Sequence, residues 1–213
     1  NFAELATKAL LGKDISGEYR TVELDYVGVK SPQFSYGRIK GADPVSYVEM
    51  TATGEVAAFG DSYSEAMLKS MLAAGFRLPK KKVLVSLGCD ENKVKMLPAL
   101  KKLSEMKYVF FGTEHTAEFL EKNGISCKTL YKISDKKEPS TITLIEKRGI
   151  DLIINVPMKP LARETADGFE IRRRAVDMNI PLITNRQLAE GFIGALAEQG
   201  GNGLKAKAWS EYM

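Results

Sequence analysis

Two cysteines, one histidine and one tryptophan are all that the 213 residues supply of these side chains. Cys89 and Cys127 are too few for a disulfide framework or a zinc site, and they fit a reducing, cytoplasmic setting. No run approaches the ~18 apolar residues of a membrane span, and no signal-peptide pattern occurs. An excess of one charge is missing too. The 31 basic and 27 acidic residues are mixed along the sequence and leave a net charge of +4. That balance lacks the electrostatic footprint of a duplex-binding protein, so neither nucleic acid nor membrane is expected as a partner. There is no GxGxxG after the first strand of the regular part, no Walker A lysine motif, and no Ser–His–Asp or Cys–His spacing that supports nucleophilic catalysis. No catalytic residue and no metal ligand is assigned.

What is present is an apolar fraction of 44%, enough for a real core. Phe2, Leu5, Ala6, Ala9 and Leu10 recur at helical spacing and stop at Gly12. Because the chain opens on Asn1 inside this pattern, it reads as a piece of a larger polypeptide. Extended stretches are expected at 19–31 and 46–60, divided by the loop PQFSYGRIKGADP. A helix follows over 62–76, opened by Ser62 with Glu65 three residues on. The segment RLPKKK (77–82) is the best boundary, since Pro79 stops structure and the lysines favour solvent.

Beyond the boundary, β and α patterns alternate. Strands are expected at 83–87, 108–112, 127–132, 151–155 and 181–184, with helices near 92–106, 116–123, 140–148, 168–178 and 186–198. Five strands separated by helices imply a parallel sheet with right-handed crossovers, covered on both faces, so the class is α/β. In EIRRRAVDM, Ile171 and Val176 suit the core, and Arg172-Arg173-Arg174 reads as charge on an exposed face or crevice rim. Residues 199–213 carry Gly pairs without periodicity and are expected to form a mobile tail.

The strand ends hold the candidate chemistry. VLVSL, YVFFGT, TLYK and DLIINV each close on a small polar or cationic residue, and parallel strands open their C-terminal ends onto one crevice. In FFGTEHTAEFL a buried strand turns into a helix at Thr113, and a helix N-terminus offers N–H groups and a positive dipole end to an anion. The expectation is a sensor of small anions or nucleotides.

Several stretches together resemble the C-terminal end of the carbamoyl-phosphate synthase large subunit: VGVKSPQFSYGRIKGADP and EMTATGEV, then KKVLVSL, GTEHTAEFL, IDLIIN, IRRRAVD and IPLITN. The resemblance implies that residues 1–76 are the closing part of an ATP-grasp half, 77–82 a linker, and 83–198 a methylglyoxal-synthase-like, Rossmann-like allosteric domain. It further implies a ligase making carbamoyl phosphate from bicarbonate, ammonia or glutamine, and ATP, for pyrimidine or arginine synthesis. ATP and Mg or Mn belong to parts of that enzyme outside these residues, as does a partner glutaminase subunit. By itself the piece is not expected to turn over.

At the effector site, Thr113 and Thr116 match the family's threonine pair, and Lys93 matches an effector-binding lysine after a one-residue gap. Lys132 falls where nucleotide-regulated forms carry a phosphate-binding lysine and N-acetylglutamate-activated forms a tryptophan. UMP, UTP, IMP or phosphoribosyl pyrophosphate is the expected effector type. Asn155 both donates and accepts, which suits a ribose or base edge. Ser86 is a further phosphate donor, and Thr184 either lines the same mouth or, with Asn185, caps the next helix. Read without the family, Thr113 is a helix cap, Lys93 a surface lysine and Asn155 a tie for strand-end backbone.

Two other readings stay open. The domain is a subunit-contact module, for instance in a homo-oligomer, with a vestigial anion crevice. Or it is a methylglyoxal-synthase-type lyase, which needs a base and proton-transfer groups beside a bound phosphate. Against the lyase, the stretch after the third strand reads ISDKKEPST where Gly-Gly-Asp is expected, and His115, though able to hydrogen-bond a ligand, is expected as an exposed helix-start residue.

Overall fold

The apolar runs bounded by polar breakers become parallel strands. A computed structural model describes residues 1–17, 23–45, 54–158, 166–200 and 203–212. The chain begins with α1 (Phe2–Leu10), β1 (Val27–Gln33), a 3-10 turn (Tyr36–Arg38), β2 (Gly54–Gly60) and α2 (Tyr63–Ala73). Then come β3 (Lys82–Leu87), α3 (Asp90–Glu105), β4 (Val109–Thr113), α4 (Glu114–Lys122) and β5 (Cys127–Leu130). Next are α5 (Thr141–Glu146), β6 (Leu152–Val156), α6 (Ala166–Asp177), β7 (Leu182–Ile183) and α7 (Arg186–Gln199), before a last 3-10 turn (Trp209–Glu211).

Among the described residues, five strands form a parallel sheet in the order β5-β4-β3-β6-β7. The chain winds outward from β3 to β5, then returns to the other side for β6 and β7. The topological switch point therefore lies between β3 and β6, where α/β sheets bind ligands beyond the strand ends. Strand alternation divides the core in two. Val83, Val85, Leu152 and Ile154 pack with Met67, Met96, Leu100, Ala117 and Phe192 of α2, α3, α4 and α7. Leu84, Leu130 and Ile153 pack with Ile145, Ile171 and Ala175 of α5 and α6. Every residue of β6 is buried, as a strand covered on both faces requires.

The amino-terminal elements are attached to this sheet. β1 and β2 pair antiparallel from Val27 opposite Gly60 to Gln33 opposite Gly54. Of the two expected extended stretches, 19–22 and 46–53 lie outside the described residues, while 23–26 are described and belong to no strand. Ser62 Oγ accepts from Glu65 N at 3.2 Å, and the Glu65 carboxylate accepts from Asp61 N at 2.8 Å, so two side chains fasten the start of α2. Residues 77–82 connect α2 to β3 without dividing their core: Met67, Leu68 and Met71 belong to the same cluster as Val83 and Val85. Ser64 Oγ also donates to Glu198 at 2.6 Å, tying α2 to α7. α1 ends before Gly12 as its pattern implies, yet none of its residues is buried.

Near residue 210 the chain meets Tyr26 and Phe59 through two aromatic side chains. Trp209 packs edge-on against Phe59 and Tyr26, with ring centroids 4.9 and 6.0 Å apart. Tyr212 donates to the Phe59 carbonyl at 3.0 Å and accepts from Lys69 at 3.1 Å. Apolar rings rather than periodicity hold this segment, which a search for helix or strand patterns does not register. Among the described residues no helix is long and apolar enough to cross a membrane.

Candidate functional site

Register decides which expected residues meet. Val85 pairs with Gly112, Ser86 with Asn155, Thr113 with Leu130, and Ile154 with Ile183. Thr113, Ser86, Asn155 and Thr184 therefore stand in one row across the C-terminal edge of β4, β3, β6 and β7, and Lys132 follows just beyond the end of β5. Alternation turns the row toward the side of Leu84 and Ile153, beneath α5 and α6. Among the described residues, the side chains of Ser86, Thr184 and Lys132 make no hydrogen bond or ion pair of their own.

Two helices start at this same edge, α3 after β3 and α4 after β4. Thr113 sits at the N-cap of α4 with φ −64° and ψ 154°, but its hydroxyl makes no cap bond; it donates to Thr116 Oγ1 at 3.4 Å. Thr116 is buried, and its Oγ1 accepts from Leu87 N at 3.2 Å. The pair thus stitches the first turn of α4 to the end of β3 and leaves the helix-start N–H groups without a side-chain cap. Gly112 permits this approach, because a Cβ there would lie 3.0 Å from Cys127 Sγ and 3.1 Å from Ala117 N. At the switch point Gly88 N donates to Val156 O at 2.9 Å, and a Cβ on Gly88 would fall 2.5 Å from Met158 N. Lys93, in the first turn of α3, is buried and paired with Asp90 at 2.9 Å. The Lys93 hydrogen bond, with its charge, holds the Asp90 carboxyl below the usual range, so an incoming anion shares this ammonium with an internal carboxylate.

Residues 95–184 match the family model described as MGS-like domain. Multifunctional protein URA2 of Saccharomyces cerevisiae is 44% identical over 208 residues, covering 92% of this chain and 9% of that protein. The mitochondrial carbamoyl-phosphate synthase (ammonia) of Aquarana catesbeiana is 36% identical over 221 residues, covering 100% of this chain and 14% of that protein. The chain carries an MGS-like domain of the carbamoyl-phosphate synthase type. It spans about a tenth of the length of the multifunctional relatives. A crystal structure of methylglyoxal synthase from Elizabethkingia anophelis NUHP1 aligns more loosely, at 20% identity and a TM-score of 0.43 over 55% of this chain and 79% of that one.

Thr113, Thr116, Lys132 and Asn155 fall within the matched MGS-like span, and Thr184 closes it. The residue that sequence reasoning missed is Arg172. Rather than lining an exposed face, it is 0% exposed and is the largest fully buried side chain of the domain; Arg173 is buried too, and Arg174 alone of the three faces solvent. Arg172 Nε and Nη2 donate to the two Asp43 oxygens at 2.7 and 2.5 Å, and Nη1 donates to Asn155 Oδ1 at 2.8 Å. Arg173 donates to the carbonyls of Tyr36, Ile39 and Ala42 and to Asp177. A buried charge needs such partners, and apart from Asn155 and Asp177 these come from a loop far away in sequence. The only signal available was the helical phase, which puts Ile171 and Ala175 in the core and draws Arg172 in beside them.

Other features of the MGS-like domain lie apart from the row. Hollows of about 520 and 340 Å³ sit on the outer side of α2, α3 and α7, and none of the expected site residues lines them. Asp135 accepts from the backbone N–H of Lys132 at 3.1 Å, and His115 is exposed. Among the described residues no group of three or more His, Cys, Asp or Glu side chains converges.

Proposed function

We propose that this chain is the regulatory, effector-binding part of a carbamoyl-phosphate synthase, and that a phosphorylated nucleotide or sugar is the ligand of the row Lys132–Thr113–Ser86–Asn155–Thr184. The observation that supports this is the shared edge: parallel register lines up Ser86, Thr113 and Asn155 of three strands, with Thr184 and Lys132 just past the ends of two more, along the C-terminal edge of an MGS-like sheet. Phosphate oxygens would accept from Thr113, Ser86 and the first-turn N–H groups of α4, with Lys132 and Lys93 supplying charge. Lysine at 132 favours a phosphate over N-acetylglutamate. The UMP, UTP, IMP and phosphoribosyl pyrophosphate class fits these donors.

In the longer enzyme the occupant would bias the distant ATP sites through the amino-terminal segment, which on this reading closes an ATP-grasp half. Such coupling requires different effector affinities in two states of the whole enzyme. Making carbamoyl phosphate for pyrimidine or arginine synthesis, with a glutaminase partner in the cytoplasm, is the activity assigned to that enzyme. The two unpaired thiols support a reducing compartment.

Thermal-shift titration with UMP, UTP, IMP, phosphoribosyl pyrophosphate and N-acetylglutamate tests the site. A ligand at 100 times its Kd adds about 2.7 kcal/mol to the folded state. Stabilisation by a phosphorylated ligand, abolished by Thr113→Ala or Lys132→Ala, is the expected result. Indifference to every anion, together with ligand-independent self-association, would favour a subunit-contact role instead.

A further inference from the structure

We infer that Arg172 is a positioning residue that fixes the polarity of the Asn155 amide, so that Asn155 offers the ligand only its NH₂ donor and selects an acceptor at that point. The inference rests on the anion-site reading above and adds to it which end of Asn155 meets the ligand. A guanidinium has donors and no acceptor. With Nη1 at 2.8 Å, it obliges Asn155 to turn Oδ1 inward, which leaves Nδ2 as the available end. Arg172 cannot swivel to relax this choice, because Nε and Nη2 are both engaged by Asp43. Bidentate geometry of that kind sets the plane of the guanidinium as well as its position.

A second observation points to a ligand. Asn155 is 3% exposed, and among the described residues its Nδ2 has no acceptor. Buried side-chain donors are seldom left without partners. Ser86, its register partner, likewise has no side-chain bond among the described residues, so a hydroxyl able to donate to the same acceptor neighbours Asn155 at the switch point. An oxygen of a phosphate, a carboxylate or a pyrimidine carbonyl would satisfy the amide, whereas the N–H edge of a base would meet another donor. Sequence alone leaves Asn155 able to act either way; Arg172, held by Asp43, removes one of the two options.

The test uses the 213-residue chain, with UMP and inorganic phosphate as probes, in calorimetric titration and in ¹⁵N spectra of side-chain amides. Asn155→Asp keeps the bond to Arg172 and the shape of the side chain while replacing the donor by an acceptor. Arg172→Lys keeps the positive charge but loses the fork that orients Asn155. Both are expected to weaken UMP binding by about tenfold or more, with the melting temperature of Asn155→Asp equal to or above that of the parent. The Asn155 NH₂ pair, assigned by its loss in Asn155→Asp, shifts when UMP is added to the parent chain. If Arg172→Lys fails to fold, Asn155→Asp and the NH₂ signal decide alone. UMP binding to the parent with an unmoved NH₂ pair and an undiminished affinity in Asn155→Asp would overturn this inference and leave the anion site standing. Failure of the parent chain to bind either probe would overturn both.

Discussion

Arg172 and Asp43, 129 residues apart in sequence, form a two-point ion pair with 1% of the arginine side chain and 32% of the aspartate side chain exposed. Removing one partner strands a buried guanidinium. Asp43→Ala is expected to cost roughly 3 kcal/mol, the low end for a buried pair, because part of the aspartate already sees water. Asp43→Ala combined with Arg172→Met should cost less than the sum of the two single changes. Urea denaturation of the four chains measures the coupling, and strict additivity would refute it.

Leu68 of α2 is fully buried in the core that also holds Val83 and Val85. Leu68→Ala is expected to cost roughly 2–5 kcal/mol through lost burial and a cavity. Since that core spans residues 77–82, unfolding followed by circular dichroism and by the fluorescence of Trp209 should trace one transition. Two separate midpoints would show that the segment before 77 folds by itself.

The same tryptophan, the single one in the chain, reports on the tail. Tyr212→Ala removes the bonds to Phe59 O and from Lys69. A red-shifted Trp209 emission is expected in native buffer, with the far-ultraviolet spectrum unchanged. Unaltered emission would mean that the aromatic stack holds without Tyr212.

Burial, with the Glu121 charge nearby, pushes the Cys127 thiol up from an ordinary 9.0 to about 12. The folded state therefore holds this proton more tightly than the unfolded chain does. The resulting contribution to stability is whole below pH 9 and is lost as pH climbs toward about 12. At pH 8 a disulfide reagent should modify Cys89 alone in the native protein and both thiols in urea. Two fast-reacting native thiols would contradict the burial.

Gly88 has no room to grow, since the group a Cβ would strike is the backbone of Met158. Gly88→Ala is expected to cost about 1–3 kcal/mol and to disturb the switch point. Exchange of the Gly88 amide, protected by Val156 O, provides the readout. Unchanged stability and protection would show that the two loops yield easily.

Much of the sheet was readable because its strands are short apolar runs closed by Gly, Thr, Asn or Lys, and burial on both faces demands that pattern. Helix starts were less so. α4 begins at Glu114 rather than 116, since a backbone can enter a helix at Thr113 without a side-chain cap to announce it. The row at the strand ends followed from parallel register once five strands were expected. Arg172 did not follow, because three adjacent arginines look solvated until a carboxylate from a distant loop reaches one of them. Trp209 and Tyr212 escaped for a related reason: their partners, Tyr26 and Phe59, lie near the opposite end of the chain.

Arg172 and Arg173 leave the same turn of α6 and grip one loop, the first through Asp43 and the second through the carbonyls of Tyr36, Ile39 and Ala42. Neighbouring helix positions point about 100° apart, so the loop is clasped from two directions. Twisting or sliding the helix cannot slacken one grip without straining the other. The loop and α6 consequently travel as a single lever, and any hinge that lets the amino-terminal segment swing relative to the sheet must lie outside residues 36–43.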